Sequence, residues 1–223
     1  MLSIDTTAGT SVALRRAGEL VAQVRHDSGM KHAELIGDAI VQVLAEAQVE
    51  PGQVTSVAVG RGPALFTGLR VGIAAAMLFS EATEARLFGV VSHDALALEL
   101  LTQNPALIDR PLLVTTDARR GEVYWALYRG LDRHGIPVLL AGHGVGKHEA
   151  VLAELAAYED LVERSGGASA PWVGLLTELQ LAAGVASHDV SALYLRAPDA
   201  TPPDPSKSFA KALGDQFGKR VTK

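Results

Sequence analysis

The chain has 223 residues, 48% of them hydrophobic, which suits a globular protein built as one large domain or two small ones. The formal net charge is −5, whereas proteins that bind nucleic acid by themselves usually carry a basic surface. Cysteine is absent, which excludes disulfides and thiolate metal sites and fits a reducing cytosol. The longest apolar run, 71–79, is too short to cross a bilayer, and the N-terminus lacks the features of a signal peptide. We therefore expect a cytoplasmic protein with no membrane partner.

The first part of the chain alternates predicted strands with predicted helices. The strands are expected at 2–5, 11–16, 20–25, 54–59 and 87–91, and the helices at 30–47, 67–83 and 92–103. Ser28, Thr67 and Ser92 are the expected N-caps of the three helices. Strands that alternate with helices predict a layered α/β fold.

The second part repeats the opening of the first. The strands are expected at 112–116, 122–129, 137–141, 160–164 and 192–195, and the helices at 148–158 and 172–184. Each opening places an aspartate, Asp5 or Asp117, where a buried strand meets a turn. The repetition predicts two duplicated halves, 1–105 and 106–200, with a break near Asn104-Pro105.

A separate tail is expected at 201–223. The chain becomes proline-rich from Pro198, and the basic residues of the tail are Lys207, Lys211, Lys219, Arg220 and Lys223. Phe209, Leu213 and Phe217 lie four apart, a spacing that would form one apolar stripe on a helix. A partly ordered tail is the alternative.

Four parts of the chain, in sequence order, are 4–7 with 11–14, then 60–72, 117–126 and 194–198. Together, and in this order, they resemble the TsaB family, also called YeaZ. The resemblance implies two actin-like (ribonuclease-H-like) halves with mixed sheets flanked by helices. It implies a non-catalytic role in threonylcarbamoylation of the adenosine beside the anticodon of tRNA.

The same resemblance implies the partners. In that family the catalytic member is the related TsaD, and the ATPase TsaE joins the assembly. Pairing of this chain with a second copy of itself, as a homodimer, is the alternative. Contact with tRNA is expected mainly through TsaD. This chain is expected to need no cofactor of its own, while ATP and magnesium belong to the assembled complex.

Two turns are candidates for a vestigial nucleotide or anion site. In actin-like kinases an aspartate at this turn helps to hold magnesium and phosphate, so the candidates are Asp5, Thr6, Thr7 and Asp117, with Gly166 and Gly167 for adenosine. The alternatives are that each aspartate caps its own turn, which the single glycine of the first turn favours, and that Gly166-Gly167 forms only a turn before a helix. The loop 60–68 departs from the family at Ala64-Leu65, where glycine and serine are usual, and 142–147 resembles a phosphate loop only superficially.

Neither a metal site nor a catalytic residue is expected. TsaD-like subunits would carry two histidines four apart on a helix, and no pair among the seven histidines of this chain has that spacing. A His-Glu-x-x-His motif and a nucleophile-elbow motif are also absent from the sequence. The alternative function is a small-molecule kinase or acyltransferase of the actin-like superfamily acting alone.

The helix around 69–79 has no polar side, which predicts that it is covered on both sides. We expect it to form a partner interface with the helix that begins near residue 30; burial within this chain is the alternative. The predicted interface residues are His32, Leu35, Ile36, Ala39, Ile40, Val43, Leu69, Arg70, Gly72, Ala75, Ala76 and Phe79.

Overall fold

The computed structural model describes residues 1–27 and 32–196. Their strands are β1 (Leu2–Asp5), β2 (Thr10–Arg16), β3 (Glu19–His26), β4 (Ser56–Gly60), β5 (Arg86–Val90), β6 (Leu112–Asp117), β7 (Glu122–Leu131), β8 (Pro137–Lys147) and β9 (Val162–Ser165). Their helices are α1 (His32–Glu46), α2 (Phe66–Thr83), α3 (Ser92–Gln103), α4 (His148–Glu154) and α5 (Ala170–Ala183).

Two mixed sheets repeat one topology. The first sheet has the order β3-β2-β1-β4-β5 and the second has the order β8-β7-β6-β9. In each sheet the first strand of the half pairs antiparallel with the next strand and parallel with a later one: β1 with β2 and β4, β6 with β7 and β9. The predicted α/β fold with two duplicated halves is confirmed.

The helices and sheets stack in layers. Helices α1 and α2 pack on the outer side of the first sheet around Leu2, Val43 and Leu69. Helices α3 and α5 share a core with both sheets, and α4 covers the far side of the second sheet. One apolar core is therefore shared by the first sheet, the two middle helices and the second sheet.

The two halves are interlocked by these middle helices. Helix α5 follows the second sheet in sequence but packs on the first sheet, where Arg15 Nε donates to Glu178 Oε2 at 2.9 Å. The N–H of Ala170, at the start of α5, donates to Ser11 Oγ at 3.0 Å. Helix α3 follows the first sheet but contacts β6, β7 and β8. Each half therefore contributes a helix to the core of the other.

Some predicted details are wrong. Leu65 and not Thr67 is the N-cap of α2, and Val91 and not Ser92 is the N-cap of α3. The strand predicted at 137–141 is too short, because β8 pairs with β7 as far as Lys147 and so includes 142–147, which resembles a phosphate loop only superficially. The predicted cap Ser28 and the tail 201–223 lie outside the described residues.

The predicted last strand at 192–195 is also wrong. Residues 185–196, which we call the C-terminal strap, run without regular secondary structure along the edge of the first sheet. The N–H of Gly89 donates to Ser187 O at 2.9 Å, and Arg61 Nη1 donates to Asp189 Oδ2 at 2.9 Å. The strap covers β5, the edge strand that otherwise has unpaired backbone groups.

Candidate functional site

A cleft opens where the ends of β1 and β6 meet. Its volume is about 730 Å³, and it is lined by the turn after β1, the loop before α2, the turn after β6 and Ser165-Gly166. The lining residues include the predicted site residues Thr6, Thr7, Asp117 and Gly166. The duplicated turns of the two halves therefore do meet, and the space between them has the size of a small-molecule pocket.

The carboxylate of Asp5 is occupied by its own chain. Its Oδ1 accepts the N–H and the O–H of Thr7, at 2.9 and 2.6 Å, and its Oδ2 accepts the O–H of Ser92 at 2.8 Å. The residue is buried, and this burial raises the pKa of the carboxyl group. A side chain on Gly60 would overlap the carboxylate. Asp5 thus caps its turn and ties it to α3.

Asp117 caps the equivalent turn of the second half. Its Oδ1 accepts the backbone N–H of Arg119 at 2.8 Å, and its Oδ2 lies 3.4 Å from Arg119 Nη1. Unlike Asp5, its side chain is 64% exposed. Arg119 and Arg120 adopt positive φ angles of 65° and 57°, so the turn brings two guanidinium-bearing residues to the surface beside the cleft.

The two glycines of the predicted adenosine turn have different positions. Gly166 lines the cleft, and a Cβ there would only touch Leu96 at 3.7 Å. Gly167 lies against Ala8 so closely that any side chain would overlap it. Gly167 therefore serves the contact between the two halves. Within residues 1–27 and 32–196, no three histidine or acidic side chains are grouped closely enough to hold a metal ion.

A buried polar cluster behind the cleft was missed in the sequence. His93 Nε2 is hydrogen-bonded to Thr116 Oγ1 at 2.9 Å, and Asp94 Oδ1 accepts the Tyr128 hydroxyl at 2.6 Å and contacts His143 Nε2 at 2.8 Å. Burial lowers the pKa of His93 to about 3, so the imidazole is neutral. The cluster joins α3 of the first half to β6, β7 and β8 of the second. Its partners are far apart in sequence, and no local pattern indicates them.

Many of the predicted interface residues lie inside the chain's own core. The buried members are Ile36, Ala39, Val43, Leu69, Gly72 and Ala76. Gly72 and Gly68 are small because the Thr6 turn packs against α2: a Cβ on Gly72 would overlap Thr6, whose hydroxyl donates to Gly68 O at 2.8 Å. Their burial agrees with the alternative of packing within this chain, and their place in a partner interface stays a prediction.

The remaining predicted interface residues are accessible to different degrees. Arg70 is exposed, whereas Leu35, Ile40, Ala75 and Phe79 are half-buried. His32 lies apart from them, because it lines the cleft and its Nδ1 is hydrogen-bonded to Thr10 Oγ1 at 3.0 Å. The partner interface itself stays a prediction.

The most exposed apolar side chains on α1 and α2 were not among the predicted interface residues. Leu78 is 72% exposed, Val41 67% and Met77 49%, and among the described large hydrophobic residues only Val185, at 62%, falls within this range. We call the solvent-exposed sides of α1 and α2 the outer helical face. Helical periodicity could have found Val41, which lies opposite the buried positions of α1, but not Met77 and Leu78, because α2 is apolar around most of its circumference.

The charges around the outer helical face are mostly acidic. Its exposed acidic residues are Glu34, Asp38 and Glu46 on α1 and Glu81 on α2. Arg70 is the single lysine or arginine within the two helices. The outer helical face therefore carries both exposed apolar side chains and an excess of negative charge.

Comparison with known proteins identifies the family. The Escherichia coli K12 tRNA threonylcarbamoyladenosine biosynthesis protein TsaB is 33% identical over 167 residues, which cover 74% of this chain and 68% of that protein. The chain belongs to the TsaB family. The TsaB protein of Bacillus subtilis is 28% identical over 178 residues, covering 70% of this chain and 76% of that protein.

Other matches extend this TsaB relationship. The family model for TsaD, tRNA N6-adenosine threonylcarbamoyltransferase, matches residues 25–168. An uncharacterized Mycobacterium tuberculosis protein is 34% identical over 217 residues, covering 91% of this chain and 94% of that protein. An uncharacterized Mycobacterium leprae protein is 36% identical over 223 residues; the match covers 90% of this chain but only 57% of that longer protein.

Solved structures show the same TsaB fold. The structure of YeaZ from Pseudomonas aeruginosa has a TM-score of 0.70 and 23% identity, covering 87% of this chain and 98% of that one. A further Pseudomonas aeruginosa structure, with similarity to peptidase YeaZ, has a TM-score of 0.74. Among the described residues of this TsaB-family chain, every helix is too short or too polar to cross a membrane.

Proposed function

We propose that this chain is a non-catalytic subunit for threonylcarbamoylation of the adenosine beside the anticodon of tRNA. In this proposal it binds and activates a TsaD-like catalytic subunit, and a TsaE-like ATPase joins them. The names of its Escherichia coli and Bacillus subtilis relatives support the pathway. The protein would act in the cytoplasm, where tRNA is modified, and would meet tRNA mainly through TsaD.

The exposed apolar residues of the outer helical face are the observation that favours a binding role. Val41, Met77 and Leu78 are exposed on two adjacent helices that share one side of the first sheet. Contiguous apolar surface on a globular protein commonly marks an interaction site, because covering it with a partner removes it from water. We propose this face as the TsaD-binding surface; pairing with a second copy would use the same residues.

The cleft supports a non-catalytic role by a different argument. A phosphate-transferring site needs a carboxylate free to hold magnesium and donors free to reach phosphate oxygens. Asp5 already accepts hydrogen bonds on both carboxylate oxygens, and Asp117 accepts a hydrogen bond from the backbone N–H of Arg119. We propose that the chain needs no cofactor and that ATP and magnesium act elsewhere in the complex.

The binding surface can be tested by co-purification with TsaD from the same organism. Leu78→Glu places a charge at the most exposed apolar residue of the face and should weaken the complex by about tenfold or more, since burying a leucine side chain contributes about 1.5–3 kcal/mol. Val185→Glu is the matched control, because Val185 is 62% exposed but lies after α5. Undiminished binding of the Leu78→Glu protein would refute the proposed surface.

The non-catalytic role can be tested with the purified chain alone. Incubation with ATP and magnesium should give no hydrolysis above buffer, while addition of TsaD and TsaE should restore tRNA modification. Robust ATP turnover by the chain alone would favour the alternative, a small-molecule kinase or acyltransferase of the same superfamily.

A further inference from the structure

The outer helical face has a chemical counterpart in the chain's own C-terminal sequence. Residues 206–223 contain five lysines or arginines and one acidic residue, Asp215. Phe209, Leu213 and Phe217 recur at intervals of four, with the basic residues before, between and after them. A segment that combines apolar and basic residues matches a surface that combines exposed apolar and acidic residues, in both hydrophobicity and charge.

The strap brings the chain to this face. The N–H of Leu193 donates to Arg61 O at 2.7 Å, just before α2. Arg70, on the outward side of the first turns of α2, donates from Nε to the Tyr194 hydroxyl at 2.6 Å, and its guanidinium lies 5.5 Å from the Tyr194 ring centroid. The last described residues of the chain are therefore fixed beside the start of the outer helical face.

The remaining chain is long enough to reach the apolar residues. Leu78 lies two helical turns beyond Arg70, a distance of about 12 Å at 1.5 Å per residue. The residues between Tyr194 and Phe209 could span about 50 Å if extended. The apolar stripe from Phe209 to Phe217 would itself be about 12 Å long on a helix, which is comparable to the distance from Arg70 to Leu78.

We propose that residues 206–223 bind the outer helical face of their own chain and cover Val41, Met77 and Leu78 until a partner displaces them. This inference rests on the proposed function, because it makes the tail a competitor for the TsaD-binding surface. Because the tail belongs to the same chain, its effective concentration at the face would be about 1 mM. A segment that alone binds with a Kd of about 0.1 mM would then weaken partner binding by about tenfold.

The absence of native cysteine allows a direct test in the full-length chain. Spin labels at Ala74→Cys, which is exposed on α2, and at Ala212→Cys, in the tail, report the distance between the two segments in the absence of any partner. We expect a narrow population below about 30 Å, because both positions would lie within one small interface. Adding Leu78→Glu, or Phe209→Asp with Phe217→Asp, should replace it with a broad, longer distribution, and Val185→Glu should leave it unchanged.

Three results would overturn the proposal. One is a broad distribution in the otherwise unaltered chain. Another is a short distance that disappears on dilution with unlabelled chain, which would mean that the tail binds a second copy. The third is a distribution that narrows only when tRNA is added, which would make the tail a nucleic-acid contact.

A second measurement separates this proposal from the proposed function. In TsaD titrations, Phe209→Asp with Phe217→Asp should strengthen binding by several fold, because the competitor is removed. If the spin-label distance is short but Leu78→Glu leaves TsaD binding unchanged, the tail proposal stands and the TsaD surface fails. If Leu78→Glu abolishes TsaD binding but the spin-label distance is broad, the tail proposal fails and the TsaD surface stands.

Discussion

The cleft between the halves and the outer helical face differ in how far their side chains find partners within the chain itself. Beneath the cleft, the buried Asp5 accepts hydrogen bonds from Thr7 and Ser92, so both of its carboxylate oxygens are paired. On the outer helical face, Leu78 and Val41 are more than half exposed although they are apolar. A polar pocket that is paired internally has a structural explanation, whereas exposed apolar surface needs a partner to explain it.

The largest effect on stability is expected from a substitution of the buried Asp5. Asp5→Ala would leave the N–H of Thr7 and the hydroxyls of Thr7 and Ser92 without their acceptor in a buried site. We expect the free energy of unfolding to fall by about 3 kcal/mol, measured by urea denaturation. TsaD binding by the fraction that remains folded should be unchanged. A stable Asp5→Ala protein that no longer supports tRNA modification would instead assign Asp5 a functional role.

A matched pair of valines on α1 tests the two sides of one helix. Val43 is completely buried against the first sheet, and Val41 is 67% exposed. Val43→Ala should lower the free energy of unfolding by about 2 kcal/mol, and Val41→Ala should change it by less than about 0.5 kcal/mol. In TsaD titrations the order should reverse, with the larger loss of affinity for Val41→Ala. Equal effects of both substitutions on unfolding would contradict the orientation of α1.

The buried histidine behind the cleft predicts a pH dependence. The pKa of His93 is lowered from 6.5 to about 3, so between these values the unfolded chain binds a proton that the folded chain does not. His93 therefore destabilises the fold as the pH falls from 6.5 towards 3, by about 1 kcal/mol for each pH unit.

This dependence can be measured by urea denaturation at pH 7 and pH 5. The His93→Gln protein, which retains hydrogen-bonding capacity without titrating, should lose less stability over this interval than the unaltered chain. The same loss in both proteins would show that His93 is not the titrating group.

The smallest effect is expected at the exposed aspartate of the cleft. Asp117→Asn retains an oxygen that can accept the N–H of Arg119. We expect tRNA modification by the reconstituted TsaB-family chain, TsaD and TsaE to change by less than about twofold. A loss of tenfold or more would mean that the carboxylate charge of Asp117 takes part in the reaction.

The fold class and the duplication of this protein can be predicted from its sequence alone. The alternation of strands and helices predicts the α/β fold, and the aspartates that end β1 and β6 indicate the duplication from the sequence alone. These features are local, because they depend on residues close together in the chain and on the periods of 2 and 3.6 residues that strands and helices impose.

The tertiary structure alone decides which side of α2 is covered. The helix is apolar around most of its circumference, so its pattern does not say that Gly72 and Ala76 face the sheet while Met77 and Leu78 face solvent. That orientation comes from the Thr6 turn, which leaves no room for a side chain at Gly72. Contacts such as Ser92 with Asp5 and Tyr194 with Arg70 join residues far apart in sequence, and only the packing of whole elements brings them together.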